Sequence, residues 1–373
     1  MKKVLFLNLM AFKQTGGLEK FNRSFLKALV ENEAQLGMIT EGYSLCDTIS
    51  DEAYYPSDKY KGFGYNKIKF TINSIRQGLK ADCIILGHIN LAIVGFFIKL
   101  FAPSKKIVLI CHGIEVWKPA SFVKKRVLKA TNKILAVSTY TKTQIVKVHG
   151  IDSERITVFY NTIDSYFPLP TTFTKNVELM KRYGFNENDF VLYTLCRLSS
   201  HEQYKGYDNV IKALGKLNEK HSNIKYLIAG KADDIELQRV KQLIVENNIE
   251  GCVRFAGYID DSEIIAHYQL GDVYIMPSYG EGFGIVFIEA LACGGRVIAG
   301  NADGSVDAVA NGELGKLVNP KSVDEIANAI EAYYNNKSDW KADKALLQQQ
   351  DVMNRFGFNQ YKNRLATIIS EII

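Results

Sequence analysis

Short apolar runs that end in a small or polar residue recur along this chain, and amphipathic helical stretches separate them. A run of five to seven apolar residues is too short for a helix and reads as a strand buried on both faces. Strands that alternate with helices build parallel sheets. In the first half, KVLFLNL, CIILGH, KIVLICHG, KILAVS and ITVFYN read as strands. GGLEKFNRSFLKALVENE reads as a helix, with Leu18, Phe21, Phe25 and Leu29 on one face. A second series follows YFPLP (Tyr166 to Pro170), whose two prolines suit a linker; its strands are FVLYTLCRLS, IKYLIAG, VRFAGY, VYIMPS and RVIAG.

The expected fold is α/β, with two doubly wound Rossmann-like domains facing each other across a crevice. Residues 1–168 and 169–350 form the domains, and residues 351–373 a terminal helix that returns to the first. Ligands of such sheets bind beyond the C-terminal ends of the strands. A length of 373 residues suffices for two domains, and 47% hydrophobic residues with 7 prolines fit a globular chain.

The six cysteines are scattered, with no CxxC or Cys/His cluster, which argues for a reducing compartment and against a structural zinc site. MKKVLFLNLMAF imitates a signal peptide, but Asn8 interrupts it and no small-residue cleavage site follows, so it reads as a first buried strand. The longest apolar stretch, Ile89 to Ala102, is too short to cross a bilayer and carries Lys99. The expected protein is soluble or peripheral, and cytoplasmic. Its net charge of +6 is uneven: residues 1–168 hold 24 Lys and Arg against 13 Asp and Glu.

SYGEGFGIVFIEALACGG (Ser278 to Gly295) carries the most chemistry. Its glycines precede a helix start, where backbone N–H groups and the helix dipole attract anions. Phe283, Gly284 and Ile285 would supply those donors. Glu281 and Glu289 repel a phosphate but suit hydroxyls, because an ionised carboxylate only accepts hydrogen bonds. A ligand with a phosphate half and a polyhydroxylated half reconciles the two. CRLSSHEQYKGYD adds Arg197 and Lys205, a guanidinium fork and a flexible ammonium suited to a diphosphate. TGGLEKF places Gly16 and Gly17 at the first helix start, and CHGIEVW places His112 at a strand end beside Gly113. There is no DxD pair, no acidic doublet with histidine or cysteine company, and no GxGxxG fingerprint.

With these residues in hand, the chain resembles the family-4 retaining glycosyltransferases of the GT-B fold over nearly its whole length. The Glu281-GFGIVFI-Glu289 stretch is the most specific match, and Gly16-Gly17, His112-Gly113, VFYNTID and Arg197…Lys205-Gly206 follow in the expected order. The resemblance implies that Arg197 and Lys205 bind the donor diphosphate. Glu289 would hold the nucleotide ribose, and Glu281 with the backbone after it the donor sugar. His112 would lie by the reacting sugar and Gly16-Gly17 by the phosphate and acceptor. Apart from the resemblance, the VRFAGY strand end (Gly257, Tyr258) and Gly230 are expected to take part in base recognition. The loop between Leu198 and Lys205 is longer than the family's shortest version, and Asp307 stands where many relatives have glutamate. IAGKADD and ADGSVDAV resemble a branch acting on bacterial polysaccharide precursors, some of whose members use GDP-mannose.

No metal or other cofactor is expected; a nucleoside diphosphate sugar is a co-substrate, and the acceptor is a glycan or lipid-linked saccharide. The basic run KPASFVKKRVLKATNK, with six cations among Phe122, Val123, Val127 and Leu128, suits peripheral contact with an anionic membrane at its inner face. A packed helix with a solvated basic face reads equally well. Nucleic acid is not an expected partner, since no aromatic platform accompanies the cations. A sugar-nucleotide epimerase, a glycogen-type phosphorylase and a non-catalytic nucleotide-sugar sensor stay open as alternatives.

Overall fold

KVLFLNL forms strand β1 (Lys2–Asn8), whose last five residues are buried. In the computed structural model, which describes residues 1–373, β1 is the third strand of a seven-stranded parallel sheet. The other strands are β2 (Met38–Ser44), β3 (Tyr60–Gly62), β4 (Cys83–Leu86), β5 (Lys106–Cys111), β6 (Lys133–Ala136) and β7 (Ile156–Val158). They lie in the order β3-β2-β1-β4-β5-β6-β7. A second parallel sheet has the order β10-β9-β8-β11-β12-β13. Its members are β8 (Phe190–Leu195), β9 (Ile224–Ala229), β10 (Val253–Gly257), β11 (Val273–Met276), β12 (Arg296–Gly300) and β13 (Lys316–Val318). The chain divides into two units, Met1–Ser165 with Phe356–Ile373, and Tyr166–Arg355.

Three strands escape a reading of apolar runs. β2 alternates buried and half-buried positions and carries Glu41, because it lies near the sheet edge. β3 and β13 are three-residue edge strands, too short to leave a pattern. Residues 351–373 are not one helix: one helix ends at Phe356, and after Gly357 another runs Phe358–Ser370. That last helix packs on the Gly17–Glu31 helix in the N-terminal unit. The extra cover explains why Asn22, Ser24 and Leu26 are buried alongside Phe21, Phe25 and Leu29.

Each sheet has one place where the strand order reverses. In the N-terminal unit it lies between β1 and β4, in the C-terminal unit between β8 and β11. Loops leaving adjacent strands diverge there to opposite faces and open a notch at the strand ends. The notch of the C-terminal unit is therefore bordered by the loops that follow β8 and β11. Those loops carry Arg197 with Lys205, and Glu281 with the glycines.

Candidate active site

The loop after β8 ends in a single turn, Gln203–Lys205, and then Gly206. Gly206 has φ +84°, and a Cβ there would lie 2.1 Å from the carbonyl oxygen of Pro277. Only glycine lets this loop close on the one after β11. The approach brings the Lys205 ammonium onto Oε1 of Glu281 in an ion pair whose side chains are 15% and 14% exposed. Burial lowers the Lys205 pKa, but the Glu281 charge outweighs it and the net shift is upward. Cation and carboxylate thus share one spot at the strand ends, although the sequence assigned them to different halves of a ligand.

Asp303, which the sequence reading passed over, holds the Glu281 segment in place. It is 1% exposed. Its Oδ2 accepts from the Ser278 hydroxyl and the Glu281 N–H, each at 2.7 Å, and its Oδ1 from the Ser305 N–H at 3.0 Å and the Ser305 hydroxyl. Burial pushes its carboxyl up, partly offset by these bonds, to about 6. The legible signal was Asp-Gly-Ser just after the RVIAG strand, a sequence suited to a side chain bonding its own backbone two residues on.

The helix Ile285–Ala292 begins at Gly284 with no side-chain cap. Its first-turn N–H groups lack intrahelical acceptors and carry the positive end of the dipole. Gly284 has φ +86°, Phe283 is 1% exposed and Ile285 7% exposed. Glu289 lies in this helix as expected but is covered: it is 1% exposed, and Tyr268 donates its hydroxyl to Oε2 at 2.8 Å. A ribose reaches it only by displacing neighbours. Arg197 projects into solvent, its side chain 68% exposed, and pairs with Glu202. Gly230, at φ +123°, has a structural role, since a Cβ there would lie 1.8 Å from the Cys196 carbonyl oxygen. Tyr258 is exposed beyond β10, with Lys231 Nζ 5.2 Å from its ring centre.

A second carboxylate outside the sequence reading supports the Lys205 loop. Glu236, fully buried, accepts from the Tyr207 hydroxyl, from Gln203 at 3.2 Å and from Arg239. Asp233, one of the acidic doublets, caps the Asp234–Glu246 helix and accepts from Ser200 N–H at 2.9 Å.

In the N-terminal unit, the loop after β1 hangs on Asp47, which accepts from the N–H groups of Ala11, Phe12 and Lys13 and from the Tyr60 hydroxyl. Gly16 then caps the Gly17–Glu31 helix with extended backbone, and a Cβ on Gly17 would meet nothing within 4 Å. Across the β1/β4 reversal, His112 Nε2 lies 2.8 Å from the Gly87 carbonyl oxygen. A carbonyl only accepts, so Nε2 carries the proton and, in the neutral ring, Nδ1 keeps the lone pair. Burial lowers the His112 pKa, which keeps the ring neutral. His88, missed in the sequence, stacks nearly parallel to it at 5.8 Å, and burial first of all lowers its pKa to about 4, so both rings are neutral together. No three His, Cys, Asp or Glu side chains cluster as metal ligands, and no helix is long and apolar enough to cross a membrane.

Two parallel-sheet units, each with its notch, make this a GT-B fold. Residues 176–349 match the profile described as Glycosyl transferases group 1, and residues 15–166 that described as Glycosyltransferase Family 4. The chain belongs to the family-4, GT-B glycosyltransferases that these profiles define. It is similar to a GDP-mannose-dependent alpha-(1-6)-phosphatidylinositol monomannoside mannosyltransferase of Mycobacterium tuberculosis, 31% identical over 61% of this chain and 60% of that protein. It is also similar to O-antigen chain mannosyltransferase B of Escherichia coli, 24% identical over 54% of this chain and 51% of that protein. The chain thus spans less than two thirds of the length of these relatives. Anabaena HepE in complex with UDP superposes with a TM-score of 0.79 over 100% of both chains at 22% identity. A Rickettsia africae glycosyltransferase superposes with a TM-score of 0.78 over 100% of this chain and 98% of that one, at 21% identity.

Proposed function

We propose that the chain transfers a hexose from a nucleoside diphosphate sugar to a glycan or lipid-linked saccharide acceptor in cell-surface polysaccharide synthesis, with retention of anomeric configuration and without a metal ion. The observation that carries this reading is the Lys205–Glu281 pair beside the uncapped start of the Ile285–Ala292 helix. When donor enters, Lys205 turns from Glu281 to the diphosphate, where the helix start adds dipole and N–H groups. The freed Glu281 carboxylate then accepts from sugar hydroxyls. Arg197, exposed on the same loop as Lys205, supplies a second cation.

The acceptor oxygen attacks the anomeric carbon as that carbon's bond to the diphosphate oxygen breaks. The leaving phosphate takes the acceptor's proton on the same face, and Lys205, Arg197 and the helix start stabilise its charge. Neutral His112, with a lone pair on Nδ1, accepts from a hydroxyl of the reacting sugar without adding a second positive charge. Glu289 takes the ribose hydroxyls after Tyr268 yields, and Gly16 and Gly17 leave room for acceptor and phosphate.

GDP-mannose is the first candidate donor, on the strength of the mannosyltransferase relatives; a UDP-hexose is the second, because HepE binds UDP. Thermal-shift titration with UDP, GDP and ADP and their sugars tests both. A shift with GDP alone selects the first, a shift with UDP alone the second, and no shift with any removes the reading. An epimerase would consume donor with no acceptor present.

The acceptor's membrane side is part of the proposal. The helices Lys67–Gly78, Ala92–Phe101 and Phe122–Ala130 pack in sequence. They expose Ile68, Ile72, Leu100, Phe101 and Phe122 among the lysines of the basic half. Cations gain about 1 kcal/mol each near anionic lipid, and the apolar side chains insert. Flotation with anionic vesicles at low salt tests this; protein left at the bottom of the gradient refutes it. Such contact places the working protein at the inner face of the cell membrane.

A further inference from the structure

The opposite end of the C-terminal sheet holds a cavity of about 140 Å³, beneath the starts of β11 and β12 and far from the glycine loop. A single buried water needs only ~10–15 Å³, so a polyatomic ligand fits. Four cations line it: Lys175, Arg296, Lys337 and Lys341, against Asp272 as the one carboxylate. Asp272 is already committed, since its Oδ2 accepts from Lys175 Nζ at 2.5 Å and from Val191 N–H at 2.6 Å.

Arg296 is the buried cation of the lining. It is 5% exposed. Nε donates to the Asp272 carbonyl at 3.2 Å and Nη1 to the Tyr333 carbonyl at 3.0 Å. The guanidinium lies 5.0 Å from the Tyr333 ring centre, 5.5 Å from Phe190 and 5.8 Å from Trp340. No protein group accepts from Nη2, and the guanidinium makes no ion pair; the Asp272 charge acts on it, but that carboxylate is bonded to Lys175 and Val191 N–H. Lys337 and Lys341 line the cavity with exposed side chains and neither is paired with an acid; Lys337 Nζ lies 4.5 Å from the Tyr334 ring centre. A buried guanidinium is costly unless its donors and charge are met. Trp340 donates its indole N–H to the Gly294 carbonyl at 3.0 Å and so fixes the wall.

We propose that this cavity binds a phosphate group, as free phosphate or a small phosphomonoester, at a site separate from the donor notch. A planar guanidinium edge with two flexible ammoniums matches the oxygens of a tetrahedral dianion. Trp340 and Phe173 at the wall leave the ester substituent an apolar border. β11 and β12 run from this cavity to the Ser278–Gly284 loop and to Asp303, so an occupant sits on the two strands that carry the sugar-reading segment.

The test is calorimetric titration of the full chain with inorganic phosphate and, separately, glycerol 3-phosphate. Sodium chloride at matched ionic strength is the control. It is run on the wild type, on Lys205→Ala to remove the donor cation, and on Lys337→Glu/Lys341→Glu, whose exposed side chains can change without disturbing the core. Saturable binding retained in Lys205→Ala and weakened at least tenfold in the double variant supports the site. Tighter binding of the ester identifies a phosphomonoester, and equal or weaker binding identifies the free anion. Arg296→Gln should abolish binding if it folds. Absence of binding, loss in Lys205→Ala, unchanged affinity in the double variant, or heats reproduced by chloride overturns the proposal.

Discussion

The carboxylate of Asp303 accepts the backbone N–H of Glu281 at 2.7 Å, so a buried acid at the end of one strand sets the position of the acid after its neighbour. The same Asp303 oxygen takes the Ser278 hydroxyl, and the Glu281 carbonyl accepts from Gly304 N–H at 2.9 Å. The loop that presents Glu281 to Lys205 is therefore tied at both of its backbone polar groups.

Asp303→Asn is expected to separate stability from activity along pH. The folded carboxyl titrates near 6, above the ordinary 3.8. A raised carboxyl pKa means that its contribution to stability is fully present below about 4 and is lost as pH rises through about 6. The ionised form, however, is the one that accepts all four donors. Turnover should fall as pH drops through about 6 even as this group's stability contribution grows. The Asn variant should lack both slopes, which urea melts and rate profiles from about pH 4 to pH 8 will measure. A wild-type rate flat across pH 6 contradicts the positioning role.

Glu281→Gln removes the charge that Lys205 balances and, if Glu281 holds the donor sugar as proposed, weakens that grip. Loss of one preorganised contact of this kind raises a barrier by roughly 3–4 kcal/mol, so turnover should drop by about 10²–10³-fold. EDTA should change the wild-type rate little. Full activity in the variant, or a strict need for added Mn²⁺, argues against the mechanism.

Arg197→Ala should leave the melting curve in place, because surface substitutions cost within about 0.5 kcal/mol. Its side chain is 68% exposed and pairs only with Glu202 on its own loop. If Arg197 meets the donor diphosphate, KM for the donor should rise. An unchanged KM and kcat would assign it to the loop alone.

Gly206→Ala should lower stability. At φ +84° a Cβ is strained, which costs roughly 1–3 kcal/mol before the 2.1 Å contact with Pro277 is counted. Chemical denaturation should show the loss. Gly17→Ala, with open space around it, should fold as well as the wild type, and any fall in its rate then reports on a ligand at that helix start.

Much of the architecture was legible because strands buried on both faces leave uninterrupted apolar runs: β1, β4, β5 and β8 announce themselves. β3 and β13 did not, since short edge strands meet solvent and need no such run, and β2, one strand in from the edge, alternates buried and half-buried positions. The Glu281–Glu289 stretch was legible as a glycine loop opening a helix, and its family resemblance followed from the spacing. The depth of Glu289 was not, because an acid one turn into a helix looks the same whether a tyrosine covers it or solvent does.

Local chemistry along the chain was enough to declare two parallel-sheet units and the loops that carry cations, glycines and acids, because periodicity and turn residues act over a few positions. The pairing of Lys205 with Glu281, 76 residues apart, the clasp of Asp303, the His88–His112 stack and the Arg296 cavity arose only on folding. Strand order decided them: parallel pairing and its single reversal bring distant loops to one edge, and no short-range pattern encodes which strands become neighbours.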